Sequence, residues 1–126
     1  MKSTDFKLLR KKLKKTQAQM AQLLGVSLKA VHSYEQGWRK VPASVERQMY
    51  FLLSRKISTT TAPKPCWKIR KCNAETKKNC PAWEFRSGDL CWFINGTVCD
   101  GNVHKDWRQK MTVCRSCEVF RSQLLL

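Results

Sequence analysis

The sequence predicts a mainly α N-terminal bundle followed by a small, irregular, cysteine-rich module. Through the first 56 residues, apolar positions recur at helical spacing, with capping residues and glycines between the segments. All seven cysteines lie in the second half of the chain. Between the halves, residues 57–65 have three consecutive threonines and two prolines but no amphipathic period. We therefore expect a domain at residues 1–56, a linker at 57–65 and a module at 66–126.

The first two helices are delimited by their own residues. Apolar side chains at helical spacing predict an amphipathic first helix over residues 4–15. Thr16 and Gln19 fit a capping box, so a second helix is expected to begin at Gln17. It should end at Gly25, which tolerates a left-handed turn. The residues expected to face the core are Phe6, Leu9, Leu13, Met20, Ala21, Leu23 and Leu24.

Two further helices complete the expected bundle. The third spans residues 28–36, between a Ser27 cap and Gly37. Its buried positions are predicted to be Val31 and Tyr34, at a spacing of three. Lys29, His32 and Ser33 are predicted to lie on other faces of this helix, outside the buried positions. A fourth helix has Pro42 in its first turn and an apolar stripe formed by Val45, Met49, Leu52 and Leu53.

The charge distribution favours a polyanionic partner. The first 65 residues contain 14 Lys and Arg against 3 Asp and Glu, a net charge of +11. The remaining 61 residues contain 11 against 6, a net of +5. An excess of this size attracts polyphosphate and makes binding strongly dependent on salt.

Residues 17–37 contain the pattern Gln17-x3-Ala21-x3-Gly25-Val26-Ser27-x3-Val31-x2-Tyr34-Glu35-x-Gly37. This pattern resembles that of the Cro/C1-type (XRE) helix-turn-helix family, whose fold is λ-repressor-like. The resemblance implies that the third helix enters the major groove of double-stranded DNA, with its N-terminal half facing the bases. Members of such families commonly bind as dimers, so a homodimer on DNA is expected.

Side-chain chemistry then suggests a role for each residue of the expected interface. Lys29, His32 and Ser33 can hydrogen-bond base edges or phosphates, and Leu28 can contact a thymine methyl. Gln17 is implied to touch phosphate, as are Arg39 and Lys40 just after the helix. The predicted DNA-binding residues are Gln17, Ser27, Leu28, Lys29, His32, Ser33, Arg39 and Lys40. Glu35 is expected to fix the turn after the third helix through local hydrogen bonds. Because the sequence shows no catalytic set, we do not expect an enzyme.

The second half contains a series of short cysteine motifs: Cys66-Trp67, Cys72, Cys80-Pro81-Ala82, Cys91-Trp92, Gly96-Thr97-Val98-Cys99, Cys114-Arg115-Ser116-Cys117 and, after them, Phe120. This series resembles the bacterial two-CW module. The resemblance implies a cysteine-rich ligand or redox module of the kind attached to bacterial chemoreceptors and sensor kinases. Within this module, residues 92–94 are expected to form a strand that enters a turn at Asn95-Gly96, and the remainder to be rich in loops.

The cysteines are predicted to bind metal. No apolar signal-peptide core and no membrane span is apparent, so we expect a cytoplasmic protein whose clustered thiols serve more often as ligands than in disulfides. Spacing lets Cys114 and Cys117 converge on one metal. Seven thiols favour a [4Fe–4S] cluster with spare or redox-active thiols, with zinc as the alternative and disulfides third. The candidate ligands are Cys66, Cys72, Cys80, Cys91, Cys99, Cys114 and Cys117.

These inferences lead to a bacterial transcription regulator whose cysteine module binds a metal or cluster and couples redox state to DNA affinity. One alternative is an antitoxin-like autoregulator with a zinc-stapled, partner-binding C-terminal module. Others are a redox enzyme or electron carrier, and a metal-stapled platform that senses nothing. The apolar end at Val119, Phe120 and Leu124–Leu126 can bury itself, form a dimer contact or bind a partner protein.

Overall fold

The computed structural model describes residues 1–58, 64–94, 96–99 and 102–124. They form two compact units, Met1–Lys56 and Ile57–Leu126. Among the described residues, no helix has the length and apolar character required to cross a membrane. Of the stretch predicted as a linker, residues 59–63 lie outside the described part of the chain.

The first unit consists of helices α1 (Ser3–Lys12), α2 (Gln17–Leu24), α3 (Leu28–Gln36) and α4 (Ala43–Ser58). The predicted bounds of α2 and α3 are confirmed to the residue. The first helix ends three residues earlier than expected, because Lys14 takes a left-handed conformation with φ of 57°. The last helix runs two residues into the stretch predicted as a linker.

The predicted caps account for the sharp ends of α2 and α3. Thr16 Oγ1 accepts a hydrogen bond from the Gln19 amide at 3.1 Å, and Gln19 Oε1 accepts one from the Thr16 amide at 3.0 Å. Both glycines that end these helices are left-handed, with φ of 67° at Gly25 and 79° at Gly37. Local sequence alone therefore places the two helices and the turn between them.

The core of the first unit draws on all four helices. Phe6 packs edge-to-face on Tyr34 with ring centroids 5.6 Å apart, which joins α1 to α3. The prediction that Leu23 is buried is wrong, since its side chain is 49% exposed. The buried apolar residues are Phe6, Leu9, Leu13, Met20, Ala21, Leu24, Ala30, Val31, Tyr34, Val45, Met49, Tyr50 and Leu53.

The second unit is more helical than predicted. Its helices are α5 (Cys66–Ile69), α6 (Ala74–Lys78), α7 (Pro81–Glu84), α8 (Trp107–Cys114) and α9 (Glu118–Leu124). A short antiparallel ladder pairs β1 (Val98–Cys99) with β2 (Asn102–Val103), with Val98 opposite Val103. Loops connect these short elements but do not dominate the module.

The strand predicted at residues 92–94 is wrong. Residues 91–93 form a turn, in which the Phe93 amide donates to the Leu90 carbonyl at 2.9 Å. The apolar character of this segment reflects the burial of Trp92 in the core and not a strand. Trp92 is fully buried and packs against Phe120, with ring centroids 6.0 Å apart. Gly96 is left-handed as a turn requires, with φ of 90°, whereas Asn95 lies outside the described residues.

The C-terminal helix α9 closes the core of this unit. Val119, Phe120 and Leu124 are buried, so this part of the apolar end packs within its own module. Leu125 and Leu126 lie outside the described residues. Gln123 is also buried, and its Nε2 donates to the carbonyls of Gly88 and Lys64.

Gly88 lies at a point of close chain approach. A Cβ atom at this position would lie 2.6 Å from a side-chain carbon of Pro65 and 2.6 Å from one of Trp67. The Cys66 amide also donates to the Gly88 carbonyl at 2.8 Å. Only glycine fits here, and the start of α5 is thereby held against the middle of the module.

Candidate nucleic-acid interface and cysteine cavity

Helix α3 presents an outward face at its N-terminal half. Ser27 Oγ caps this helix by accepting a hydrogen bond from the Ala30 amide at 3.0 Å. Leu28 and Lys29 are exposed, and His32 is half-buried. Arg39 and Lys40 follow the helix and are exposed as well. These side chains are therefore accessible to solvent, and their contacts with DNA stay a prediction.

Ser33 is an exception. The prediction that it lies on an outward face is wrong, since the residue is only 6% exposed. The chain folds back over it after α3, and the amides of Trp38 and Arg39 donate to its carbonyl at 3.0 and 3.3 Å. Ser33 therefore helps to hold the end of the helix instead of facing a base.

Glu35 holds distant parts of the first unit together. Arg10 Nη2 and Nε donate to its two carboxylate oxygens at 2.8 and 2.9 Å, and Gln17 Nε2 donates at 3.1 Å. The predicted role in a local turn is wrong, because these partners lie 25 and 18 residues away. Gln17, expected at a phosphate, is thus tied to α3 through this carboxylate. Arg10 belongs to the basic run of α1 but has its charge paired internally.

This network removes negative charge from the outward surface. Glu35 is the only acidic residue between Asp5 and Glu46, and its side chain is 2% exposed. The exposed charges of α3 and the turn that follows are Lys29, Arg39 and Lys40. The resulting surface is positive, as a phosphate backbone requires.

Sequence reasoning missed Trp38. Its side chain is 71% exposed and contacts His32 edge-to-face, with ring centroids 5.3 Å apart and an interplanar angle of 78°. The available signal was a large aromatic residue between a helix-ending glycine and two cations, outside any apolar period.

The second unit contains a cavity of about 240 Å³ that all seven cysteines line. They reach it from α5, α8, β1 and the loops between the helices, although the first and last lie 51 positions apart in the sequence. Each carries a free thiol. Trp67, Trp83 and Trp92 also line the cavity.

Neighbouring thiols alter one another's proton affinity. Cys66 and Cys91 share a side-chain hydrogen bond, which lowers the pKa of Cys66 and, together with burial, raises that of Cys91. Burial raises the pKa of Cys114 to about 11. Cys80 Sγ accepts a hydrogen bond from the Val98 amide at 3.4 Å. A thiol with a raised pKa, such as that of Cys91 or Cys114, must lose its proton to bind a metal, so metal binding there would release protons.

A buried cation lies among the thiols. Lys110 on α8 lines the cavity with 2% exposure, and its Nζ donates to Oγ1 of the buried Thr97. Its positive charge lowers the pKa of Cys99 and Cys114, where burial acts in the opposite direction. Lys110 was not predicted, although its spacing of four from Cys114 places both on one helix face.

The donor set can be compared with the metals that the sequence suggests. A structural zinc ion holds four ligands, with each thiolate about 2.3 Å from the metal. Among the described residues, no three Cys, His, Asp or Glu side chains converge closely enough to hold one ion. The seven thiols nevertheless line one shared cavity, in which those of Cys66 and Cys91 share a hydrogen bond.

Residues 6–47 match a family model described as helix-turn-helix. The matched stretch runs from within α1 into the first turns of α4 and contains the whole of α2 and α3. It supports a DNA-binding transcription regulator, a class that is typically not enzymatic. No curated protein and no solved structure was found to match the chain.

Proposed function

We propose that this protein is a transcription regulator that reads an operator with α3 in the major groove of double-stranded DNA. The observation that carries this proposal is the match to the helix-turn-helix family over residues 6–47, which contains α3. The outward side chains Leu28, Lys29 and His32 are of the right kind to contact base edges and thymine methyls. Arg39 and Lys40 supply phosphate contacts beside them.

The protein acts on DNA as a homodimer in this proposal. Helix-turn-helix dimers place two recognition helices in successive major grooves about 34 Å apart, so each subunit reads one half-site. Linking two half-sites raises affinity without new contacts, because binding of the second becomes intramolecular.

We further propose that the cysteine cavity holds a [4Fe–4S] cluster, with Cys114 and Cys117 among its four ligands. Support comes from the presence of all seven thiols around one cavity, a number that exceeds the four ligands of a structural zinc ion. Lys110 adds a buried positive charge that would offset part of the negative charge of four thiolates. When bound, an iron–sulfur cluster supplies reversible electron-transfer chemistry.

Coupling between the two units would make the protein a redox sensor. Metal–thiolate bonds contribute folding free energy to small modules, so loss or oxidation of the cluster would loosen the second unit. The resulting change in shape or charge would alter operator affinity. The antitoxin-like alternative, with zinc in the cavity and a partner protein at the C-terminus, stays a prediction.

Two measurements on the full chain, purified without oxygen, test these proposals. Selection from random duplex DNA should yield a preferred operator, and the Lys29→Ala and His32→Ala variants should change that preference. Arg39→Ala should weaken binding to all DNA sequences similarly. Selection of no operator, or unchanged preference in both base-reading variants, would contradict the proposed reading face.

For the cavity, iron, sulfide and zinc are measured together with the absorption spectrum. About four iron and four sulfide per chain are expected. This content should be lost in Cys114→Ser and Cys117→Ser and retained in the control Ser116→Ala, which changes the exposed residue between them. One zinc per chain without sulfide would overturn the cluster.

A further inference from the structure

Trp38 lies where the chain leaves the proposed recognition helix. Gly37 ends α3 in a left-handed conformation, and the Trp38 amide then donates back to the Ser33 carbonyl at 3.0 Å. This reversal places the indole beside the helix instead of beyond its end. The side chain nevertheless remains 71% exposed, the largest value among the exposed large apolar residues of the described chain.

One surface of the indole is occupied by His32. The two rings form an edge-to-face pair with centroids 5.3 Å apart. His32 is half-buried, whereas Lys29, one turn earlier, is exposed. A histidine on an exposed helix face can adopt several rotamers, so an adjacent indole restricts the orientations that the imidazole can take.

The surroundings of this pair favour a polyanion as its partner. Arg39 and Lys40 follow Trp38 directly and are exposed. The nearest acidic residue in the sequence, Glu35, is buried and paired with Arg10. The exposed indole is therefore followed by two exposed cations, with no exposed carboxylate between residues 6 and 45.

We infer that Trp38 is a positioning residue for base reading: its indole holds the His32 imidazole toward the base edges and itself lies against the DNA. This inference rests on the proposed insertion of α3 into the major groove. An imidazole held in one orientation can form hydrogen bonds with only one pattern of donors and acceptors on a base edge. An imidazole that rotates freely can reach several bases or a phosphate. Trp38 thus contributes to sequence discrimination through His32, in addition to any contact that it makes with a sugar or thymine methyl.

The first experiment measures operator preference in the full chain. The operator obtained by selection and its single-base variants are titrated with the parent and with Trp38→Ala, Trp38→Phe, His32→Ala and the double Trp38→Ala/His32→Ala variant. Trp38→Ala should reduce discrimination at the base pair that depends on His32 by about tenfold. Trp38→Phe, which keeps an aromatic ring, should retain most of it. The control Leu8→Ala, which removes an exposed apolar side chain from α1, should leave discrimination unchanged.

The double variant shows whether Trp38 acts through His32. If it does, the Trp38→Ala change adds nothing to His32→Ala at that base pair. If the losses of discrimination in the two single variants simply add in the double variant, Trp38 does not act through His32 and the positioning role is overturned. Altered preference in His32→Ala together with an unchanged profile in Trp38→Ala would overturn this inference alone. An unchanged profile in His32→Ala would overturn both the inference and the proposed reading face.

A second measurement does not depend on the variants keeping their affinity. The protein has five tryptophans, so fluorotryptophan labelling gives a fluorine spectrum in which Trp38→Phe identifies the Trp38 resonance. Addition of the selected operator should shift that resonance, and a scrambled duplex should shift it less. A Trp38 resonance that stays in place at saturating operator would exclude contact with DNA.

Discussion

Arg10 on α1 donates two hydrogen bonds to the carboxylate of Glu35 on α3, with N–O distances of 2.8 and 2.9 Å. The carboxylate side chain is 2% exposed and also accepts a hydrogen bond from Gln17 at the start of α2. One acidic group therefore ties three helices together. It holds the proposed recognition helix against the rest of the first unit.

Arg10→Ala is expected to destabilise the first unit strongly. Removal of one partner leaves a buried carboxylate without its cation, which costs about 3–5 kcal/mol. The control Lys11→Ala removes an exposed neighbouring charge and should change the stability by less than about 0.5 kcal/mol. Hydrogen–deuterium exchange of the α1 and α3 peptides measures the effect within the full chain. Equal exchange in the two variants would show that the ion pair contributes little.

Gly25→Ala is expected to destabilise the same unit through backbone strain alone. A Cβ at this position meets nothing within 4 Å, but the residue has φ of 67°. A left-handed conformation costs a β-carbon residue about 1–2 kcal/mol. Gly25→Asn should recover part of this loss, since asparagine tolerates the conformation better. Denaturation monitored by exchange of the α2 peptide compares the two, and equal losses would point to a cause other than φ.

In the first unit, features that depend on interactions between nearby residues could be predicted from the sequence, whereas those that depend on distant residues could not. Thr16, Gly25 and Gly37 act on residues three or four positions away, so the bounds of α2 and α3 could be predicted. The partnership of Arg10 with Glu35 spans 25 positions and has no local signature. Helical spacing predicts an outward position for Ser33, because spacing does not show that the chain folds back over this residue after Gly37.

In the second unit, the cysteines could be recognised as a set, but their arrangement could not be predicted. Periodicity could not distinguish a strand at residues 92–94 from a buried turn, because Trp92 is apolar in either case. Lys110 is one of eleven basic residues in this half. Arg70, Lys71 and Lys77 also line the thiol cavity, and only the fold shows that Lys110 is the buried one among these four.

Loss of a phosphate contact should change the salt dependence of DNA binding. Lys40→Ala is expected to weaken every duplex similarly and to reduce the slope of log affinity against log salt by about 1. The control Lys78→Ala removes an exposed charge from α6 in the second unit and should leave the slope unchanged. Titrations at several salt concentrations measure both. A Lys40→Ala variant that retains the parent slope would exclude this residue from the phosphate contacts.

Lys110→Met is expected to lower the reduction potential of the proposed [4Fe–4S] cluster. The buried ammonium stabilises negative charge in the cavity, and reduction adds one more negative charge, so its removal favours the oxidised form. A tenfold change in the equilibrium corresponds to about 59 mV for one electron, and a negative shift of this order is expected. Lys110→Arg should shift the potential much less because it keeps the charge.

Redox titration followed by absorption measures these potentials, with iron and sulfide content determined for each variant so that loss of the cluster is not mistaken for a shift. The matched control is Lys105→Met, which removes an exposed cation just before α8. Its potential should stay near that of the parent, since solvent screens an exposed charge. Equal potentials in Lys110→Met and Lys105→Met would mean that the buried cation does not act on the cluster. Its hydrogen bond to Thr97 would then be its main contribution to the module.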